Sequence, residues 1–254
     1  MEIFINILYS QKEIFNLRKN EIESTWLKDV INHHIDYRFV CGDDNLQTTF
    51  KDDGHVLCFN TSDEFNNIFM KRIYLFGKWF LENRNESHIL FIDSDCYLNV
   101  NRFLNDLKYL SLSFKTIDYM GCIYPYPGFN PYESFYSIIF DENSFISGSC
   151  FILSKKSLNI LINSYNEILK LNIDYGKDDV IVSKILQKNG IPILHNKNVC
   201  FESKYKRLIN DPQKIGVPDI SNENSNLWCQ HYLEGHFNEI HEKIKSYENR
   251  SIDR

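Results

Sequence analysis

Two aspartates flanking a serine, Asp93-Ser94-Asp95, follow directly on the apolar run His88-Ile89-Leu90-Phe91-Ile92. Carboxylates two residues apart at the end of a buried strand can reach one hard cation, directly or through water. Magnesium and manganese favour such oxygen ligands and keep positions open for water and phosphate oxygens. A cation held there would stabilise, as a Lewis acid, the charge that builds on a departing diphosphate. The plainer reading is a solvated turn, since Asp and Ser are common turn formers. The apolar strand in front of the triplet favours the metal site.

Asp178-Asp179-Val180 opens a helical stretch and carries two readings. Acidic residues complement the dipole of a first helical turn and cap its free amides. A carboxylate there could equally serve as the general base that takes a proton from an acceptor hydroxyl. Ile146-Ser147-Gly148-Ser149 leads into the apolar Cys150-Phe151-Ile152-Leu153. Gly148 either lets the backbone approach a ligand closely or marks a bulge in a packed strand. Tyr124, Tyr126 and Trp228 lie in Pro-rich or polar stretches, where they could stack on acceptor sugar rings or simply pack locally. His231 and His236 are five apart, off the i, i+4 spacing of helical metal pairs.

The segments that carry these residues alternate between strand and helix. Strands are expected at Ile3–Tyr9, Tyr37–Cys41, His55–Phe59 and His88–Ile92. Helices are expected from about Phe15 to His33 and from Ser62 to about Asn83. On the second helix Phe65, Ile68, Phe69, Ile73, Phe76 and Phe80 share an apolar face. This order implies an α/β fold, a mainly parallel mixed sheet with helices on both faces. Ligands bind beyond the carboxyl ends of strands in such sheets. That edge holds Asp93 and Ser94, with Tyr9 and Ser10 ending the first strand, and these four are donor-binding candidates. Further on, Thr116–Tyr124 reads as a strand and Tyr136–Leu153 as a hairpin-like pair. Lys155–Leu171 and Asp178–Lys188 read as helices, Ile191–Phe201 as extended, and about Leu233–Tyr247 as an amphipathic helix.

Taken in order, Thr25-Trp26, Lys71, Asp93-Ser94-Asp95, Ser147-Gly148 before Phe151-Ile152-Leu153-Ser154, and Asp178-Asp179-Val180 resemble the β-1,3-glycosyltransferase and fringe superfamily over roughly residues 3–205. The resemblance implies a GT-A (Rossmann-like) glycosyltransferase using Mn2+ or Mg2+ and a nucleotide-diphosphate donor, a UDP-sugar above all. Asp95 is then the main metal ligand, with Asp93 beside the metal or the ribose. Lys71 lies near the donor phosphates or the metal-site carboxylates, Gly148 approaches the donor, and Asp179 is the base of an inverting transfer. The family's late metal-binding histidine matches Glu202, in Phe201-Glu202-Ser203, which is the expected third ligand; His231 is the alternative. A glycan or protein hydroxyl is the acceptor class.

Composition limits the rest. The 254 residues suit one domain, 1–254, with a nucleotide-sugar half at about 1–110 and an acceptor half at about 111–254. Lys and Arg total 28 against 34 Asp and Glu, a formal charge of -6 that argues against a nucleic-acid partner. No apolar run approaches the roughly 20 residues of a membrane span. Met1-Glu2-Ile3-Phe4-Ile5 lacks the basic start of a signal peptide. Seven cysteines, odd in number and without a Cys-x-x-Cys pair, suggest free thiols in a reduced, cytoplasmic protein. A catalytically inactive nucleotide-sugar- or glycan-binding module of the same fold is the second reading.

Overall fold

A computed structural model describes residues 1–123, 136–139, 144–171, 177–200, 220–221, 226–231 and 235–252. Its first half runs β1 (Ile3–Leu8), α1 (Glu13–Ser24), α2 (Leu27–Asn32), β2 (Tyr37–Gly42), β3 (Phe50–Asp52) and β4 (Val56–Phe59). A 3-10 turn (Phe65–Asn67), a π-helical stretch (Phe69–Leu75) and α3 (Phe76–Asn83) then lead to β5 (His88–Asp93), β6 (Tyr97–Leu98) and α4 (Val100–Ser113). The second half adds β7 (Tyr119–Ile123), β8 (Tyr136–Ile139), β9 (Ile146–Ser154), α5 (Lys155–Asn163), α6 (Tyr165–Ile168) and α7 (Asp178–Lys188). It continues with β10 (Ile193–Asn196), β11 (Val199–Cys200), β12 (Cys229–Gln230) and a C-terminal helix (Phe237–Ile252).

Among the described residues nine strands form one mixed sheet in the order β3-β4-β2-β1-β5-β9-β7-β10-β8. The parallel set β4-β2-β1-β5 lies at its heart. β1 reads Ile-Phe-Ile-Asn-Ile-Leu and buries both faces, as a central parallel strand must. Ile3, Ile5 and Ile7 pack under α1, α2, α4 and the C-terminal helix. Phe4 packs on the opposite face with Phe76 and Phe80 of α3 and with residues of α5 and α7. Helices thus cover both faces, as the alternation of elements predicts.

Several expectations need correction. The hairpin over 136–153 does not form: β8 pairs with β10, and β9 inserts antiparallel between β5 and β7. Local spacing gave no hint, because every partner lies more than twenty residues away in the chain. The single helix over 15–33 is two, α1 and α2, divided at Thr25-Trp26, where both side chains are buried. The long helix after Ser62 is α-helical only over its last turns, and Phe65, expected in the core, is 70% exposed. α4 was not anticipated, although Asn99 caps it, its side chain accepting the Arg102 amide at 3.1 Å. The cysteines are not all free thiols either. β2 and β4 are parallel neighbours with Cys41 opposite Cys58, and these two form a disulfide. Cysteine usage therefore does not fix a reducing compartment for this chain. No helix among the described residues is long and apolar enough to cross a membrane.

A second sheet, β11-β12-β6, is tied to α4 by one carboxylate. Asp106 accepts from Trp228 Nε1 at 2.7 Å, Asn196 Nδ2 at 2.8 Å and Asn198 Nδ2 at 3.0 Å, all buried. Asp106→Ala would orphan three donors, each costing about 1–3 kcal/mol. Urea unfolding should show a loss of at least about 3 kcal/mol; a loss below about 1 kcal/mol would mean that water replaces the carboxylate freely.

Candidate functional site

Strand register gathers the chemistry at one edge. Leu8 pairs with Asp93, so Tyr9 and Ser10 leave β1 beside the start of the acidic triplet. β9 runs the other way, with Ile92 opposite Cys150, which brings Ser147-Gly148-Ser149 alongside Ser94 and Asp95. A Cβ on Gly148 would stand 3.2 Å from Asp178 Oδ1 and 3.4 Å from Asp179 Cβ. Glycine therefore lets the first turn of α7 close onto β9. The antiparallel pair β6–β12 places Gln230 opposite Tyr97, so His231 emerges next to Asp95 although 136 positions separate them in sequence. These residues line one cleft of about 580 Å³, within the usual range for small-molecule sites.

At its centre His231 Nε2 lies 3.1 Å from Asp95 Oδ1 and 3.9 Å from Asp93 Oδ2. Arg18 stands 3.6 Å from the other Asp95 oxygen. Burial raises the affinity of Asp95 for a proton, but the bond to His231 and the charge of Arg18 outweigh it and hold the carboxyl below its ordinary range. Asp93 moves the other way, pushed up by burial against the pull of Arg72. Asp178 is buried more completely and is pushed up to about 7. Asp179 is half-buried and faces the cleft; burial raises it too, against amide bonds from Val180 and Gly148.

Arg72 was not anticipated. Its Nη1 donates to the Gly148 carbonyl at 2.8 Å and lies 3.0 Å from Asp93 Oδ1 and 3.5 Å from Asp178 Oδ2. The guanidinium also stacks near the rings of Phe91 and Phe151. One buried cation thus joins the acidic triplet, the Gly148 strand and the start of α7. Two adjacent cations, Lys71-Arg72, inside an apolar helical face were the available signal. The π-helical stretch gives both of them buried positions, and such widened turns recur at functional sites.

Lys71 lines the cleft but does not reach Asp93 or Asp95. Its ammonium pairs with Asp63, and burial lowers its proton affinity. Asp63 also accepts the Gly42 amide at 2.9 Å and the Gln11 amide at 3.1 Å. The pair therefore clasps the loops that leave β1 and β2. A Cβ on Gly42 would fall 2.6 Å from the Thr61 carbonyl oxygen, so only glycine permits this approach.

Tyr9, Ser10, Lys71, Asp93, Ser94, Asp95, Gly148, Asp179 and His231 are thus brought together. Trp228 is not. It is 1% exposed, packs on Phe103 and bonds to Asp106, so it offers no face to an acceptor sugar. Its indole N–H finds that buried carboxylate only because β12 is folded against α4. Tyr124, Tyr126 and Glu202 lie outside the described residues.

A model of the galactosyltransferase family matches residues 17–197, more than two-thirds of the chain. The chain belongs to this family. The matched segment holds both aspartate motifs, Arg72 and Gly148, while His231 lies beyond it. The galactosyltransferase-family fold is of the GT-A kind and aligns with a crystal structure of a glycosyltransferase involved in the glycosylation of the major capsid of PBCV-1. That alignment covers 97% of this chain and 100% of the other, with a TM-score of 0.51 and 13% identity, and speaks for the fold alone. No curated relative matches the sequence. Family and fold together make the protein a glycosyltransferase.

Proposed function

We propose that the protein transfers a sugar from a UDP-sugar to a hydroxyl of a glycan or protein, with inversion and with a divalent cation, Mn2+ or Mg2+. One observation carries this reading: carboxylates from 93–95 and 178–179 meet His231 in a single cleft at the carboxyl edge of a parallel sheet. Residues 1–110 would hold the donor and 111–254 the acceptor, within one unit.

The donor set fits a hard cation. Ser94 Oγ is buried without a hydrogen-bond partner among the described residues, a costly state unless something completes it, and Asp93 and Asp95 bring two further carboxylates, ion-paired to Arg72 and His231, to the same point. Asp93, Asp95 and His231 would hold the ion, which would supply Lewis-acid stabilisation of the diphosphate. Asp179 is the more exposed carboxylate of its pair, and Asp178 is the one ion-paired to Arg72, which suits Asp179 to take the acceptor proton. Asp178 is occupied with Arg72 and keeps α7 in register. The Lys71–Asp63 clasp orders the loops after β1 and β2, so that Tyr9 and Ser10 face the donor. Gly148 lets α7 close on the strand edge and so sets Asp179 against the place where the donor sugar would lie.

Release of UDP from a panel of UDP-sugars, followed with and without Mn2+, tests the assignment. At least one donor should give Mn2+-dependent release, and Asp95→Asn should abolish it while weakening donor binding. Donor binding without any release, on every donor and acceptor class offered, would overturn the catalytic reading.

A further inference from the structure

Directly behind the acidic edge of the cleft lies a sulfur that a hard-cation site does not need. Cys96 follows Asp95 directly and is fully buried, its amide donating to the Asp93 carbonyl at 3.1 Å to close the turn. Its Sγ lies 3.4 Å from the Ser149 carbonyl oxygen, to which it donates weakly. One ligand atom each from Asp95, Cys96 and His231 fall within 4.8 Å of one another. Ligand atoms around tetrahedral zinc sit about 3.3–3.8 Å apart, as bonds of roughly 2.0–2.3 Å require. The three groups therefore need only a modest contraction to share one ion.

We propose that this cleft also binds zinc, through Asp95, Cys96 and His231, in a site that overlaps the one assigned to Mn2+ or Mg2+. The proposal rests on that metal assignment and extends it to ion selectivity. Magnesium and manganese take oxygen and leave the thiol idle. Zinc is a borderline ion that bonds carboxylate, imidazole and thiolate alike, and an N/O/S site prefers it to manganese. As the Zn–S bond forms, the thiol proton passes to solvent and the bond to Ser149 is given up. Three protein ligands then leave zinc one open position. A six-coordinate ion on the oxygen and imidazole ligands keeps several, enough for two phosphate oxygens. Zinc bound this way competes with the productive ion for Asp95 and His231, and Cys96 is the residue that decides the competition.

Cobalt titration of the metal-free protein tests this without any transfer assay. Wild type should develop a near-ultraviolet thiolate-to-cobalt charge-transfer band that zinc erases and an excess of manganese does not. Cys96→Ser and Cys96→Ala should both lose the band, with thermal melts verifying that they fold. Cys229→Ser, which alters a thiol hydrogen-bonded to Cys96, should keep it. A wild-type protein that binds cobalt without the band, or a band that survives in either Cys96 variant, overturns the proposal. Binding of Mn2+ followed by electron paramagnetic resonance separates the two levels. Manganese bound through Asp95 with no cobalt band removes only the thiol, whereas binding of neither ion removes the metal assignment as well.

Discussion

Asp179→Asn is expected to lower kcat for sugar transfer by about 10²- to 10⁴-fold, the usual worth of a positioned general base, and to leave Mn2+-dependent UDP binding intact. Asparagine keeps the shape of the side chain and an oxygen that can accept the Val180 amide, now at 2.7 Å. It cannot accept the acceptor proton. Steady-state transfer and calorimetric UDP binding on the same preparation separate chemistry from binding. The pH profile adds a sign. Burial raises the affinity of Asp179 for its proton, so the carboxyl stays protonated, and inactive as a base, to a higher pH than an exposed aspartate. The acidic limb of kcat/KM should therefore lie above the ordinary carboxylate range and disappear in the variant. A variant within about tenfold of wild type would remove Asp179 from the role.

Arg72→Met should produce a large, pH-dependent change in stability. The guanidinium is the shared partner of Asp93 and Asp178, and an apolar replacement leaves both carboxylates buried without it. Breaking such a pair by removing one partner costs about 3–5 kcal/mol, which for a chain of this size is roughly 6–20 °C in melting temperature. The loss should depend on pH. Asp178 is pushed up to about 7 in the fold, well above its unfolded value, so its protonated form is the one the fold favours. Its contribution is present at low pH and disappears as pH rises through about 7. The metal-free Arg72→Met protein should accordingly melt closer to wild type at pH 5 than at pH 8. Arg72→Met with Asp178→Asn removes one stranded charge and should recover much of the deficit. A double variant no more stable than Arg72→Met alone would show that Arg72 acts by packing on Phe91 and Phe151.

Arg72 also marks the limit of what linear pattern conveys. Residues that act on their immediate surroundings were legible: the apolar run of β5 announces its strand, and Asp93-Ser94-Asp95 falls at its carboxyl end because the chain must leave the sheet there. The order of motifs sufficed for the family. The helices on both faces followed from strand and helix alternating along the chain. Local pattern misled where long-range pairing decides. Tyr136–Leu153 looks like a hairpin, yet β8 and β9 find partners far away in sequence. Cys41 and Cys58 look like two more small hydrophobes until β2 and β4 are laid side by side.

Linear pattern carried the strand-and-helix alternation and the acidic residues at the strand edge, whereas the fit of α7 against Gly148 emerged only from their packing. Hydrophobic period, turn chemistry and backbone sterics act over a few residues, and so can be read from a few residues. Only the folded chain shows that His231 lies beside Asp95, that Trp228 is a core residue, and that Arg72 and not Lys71 meets the acidic triplet. Each of these depends on register between strands or helices that are distant in the chain. Electrostatic and metal-ligand chemistry acts over a few ångströms of space, whatever the number of residues between the groups.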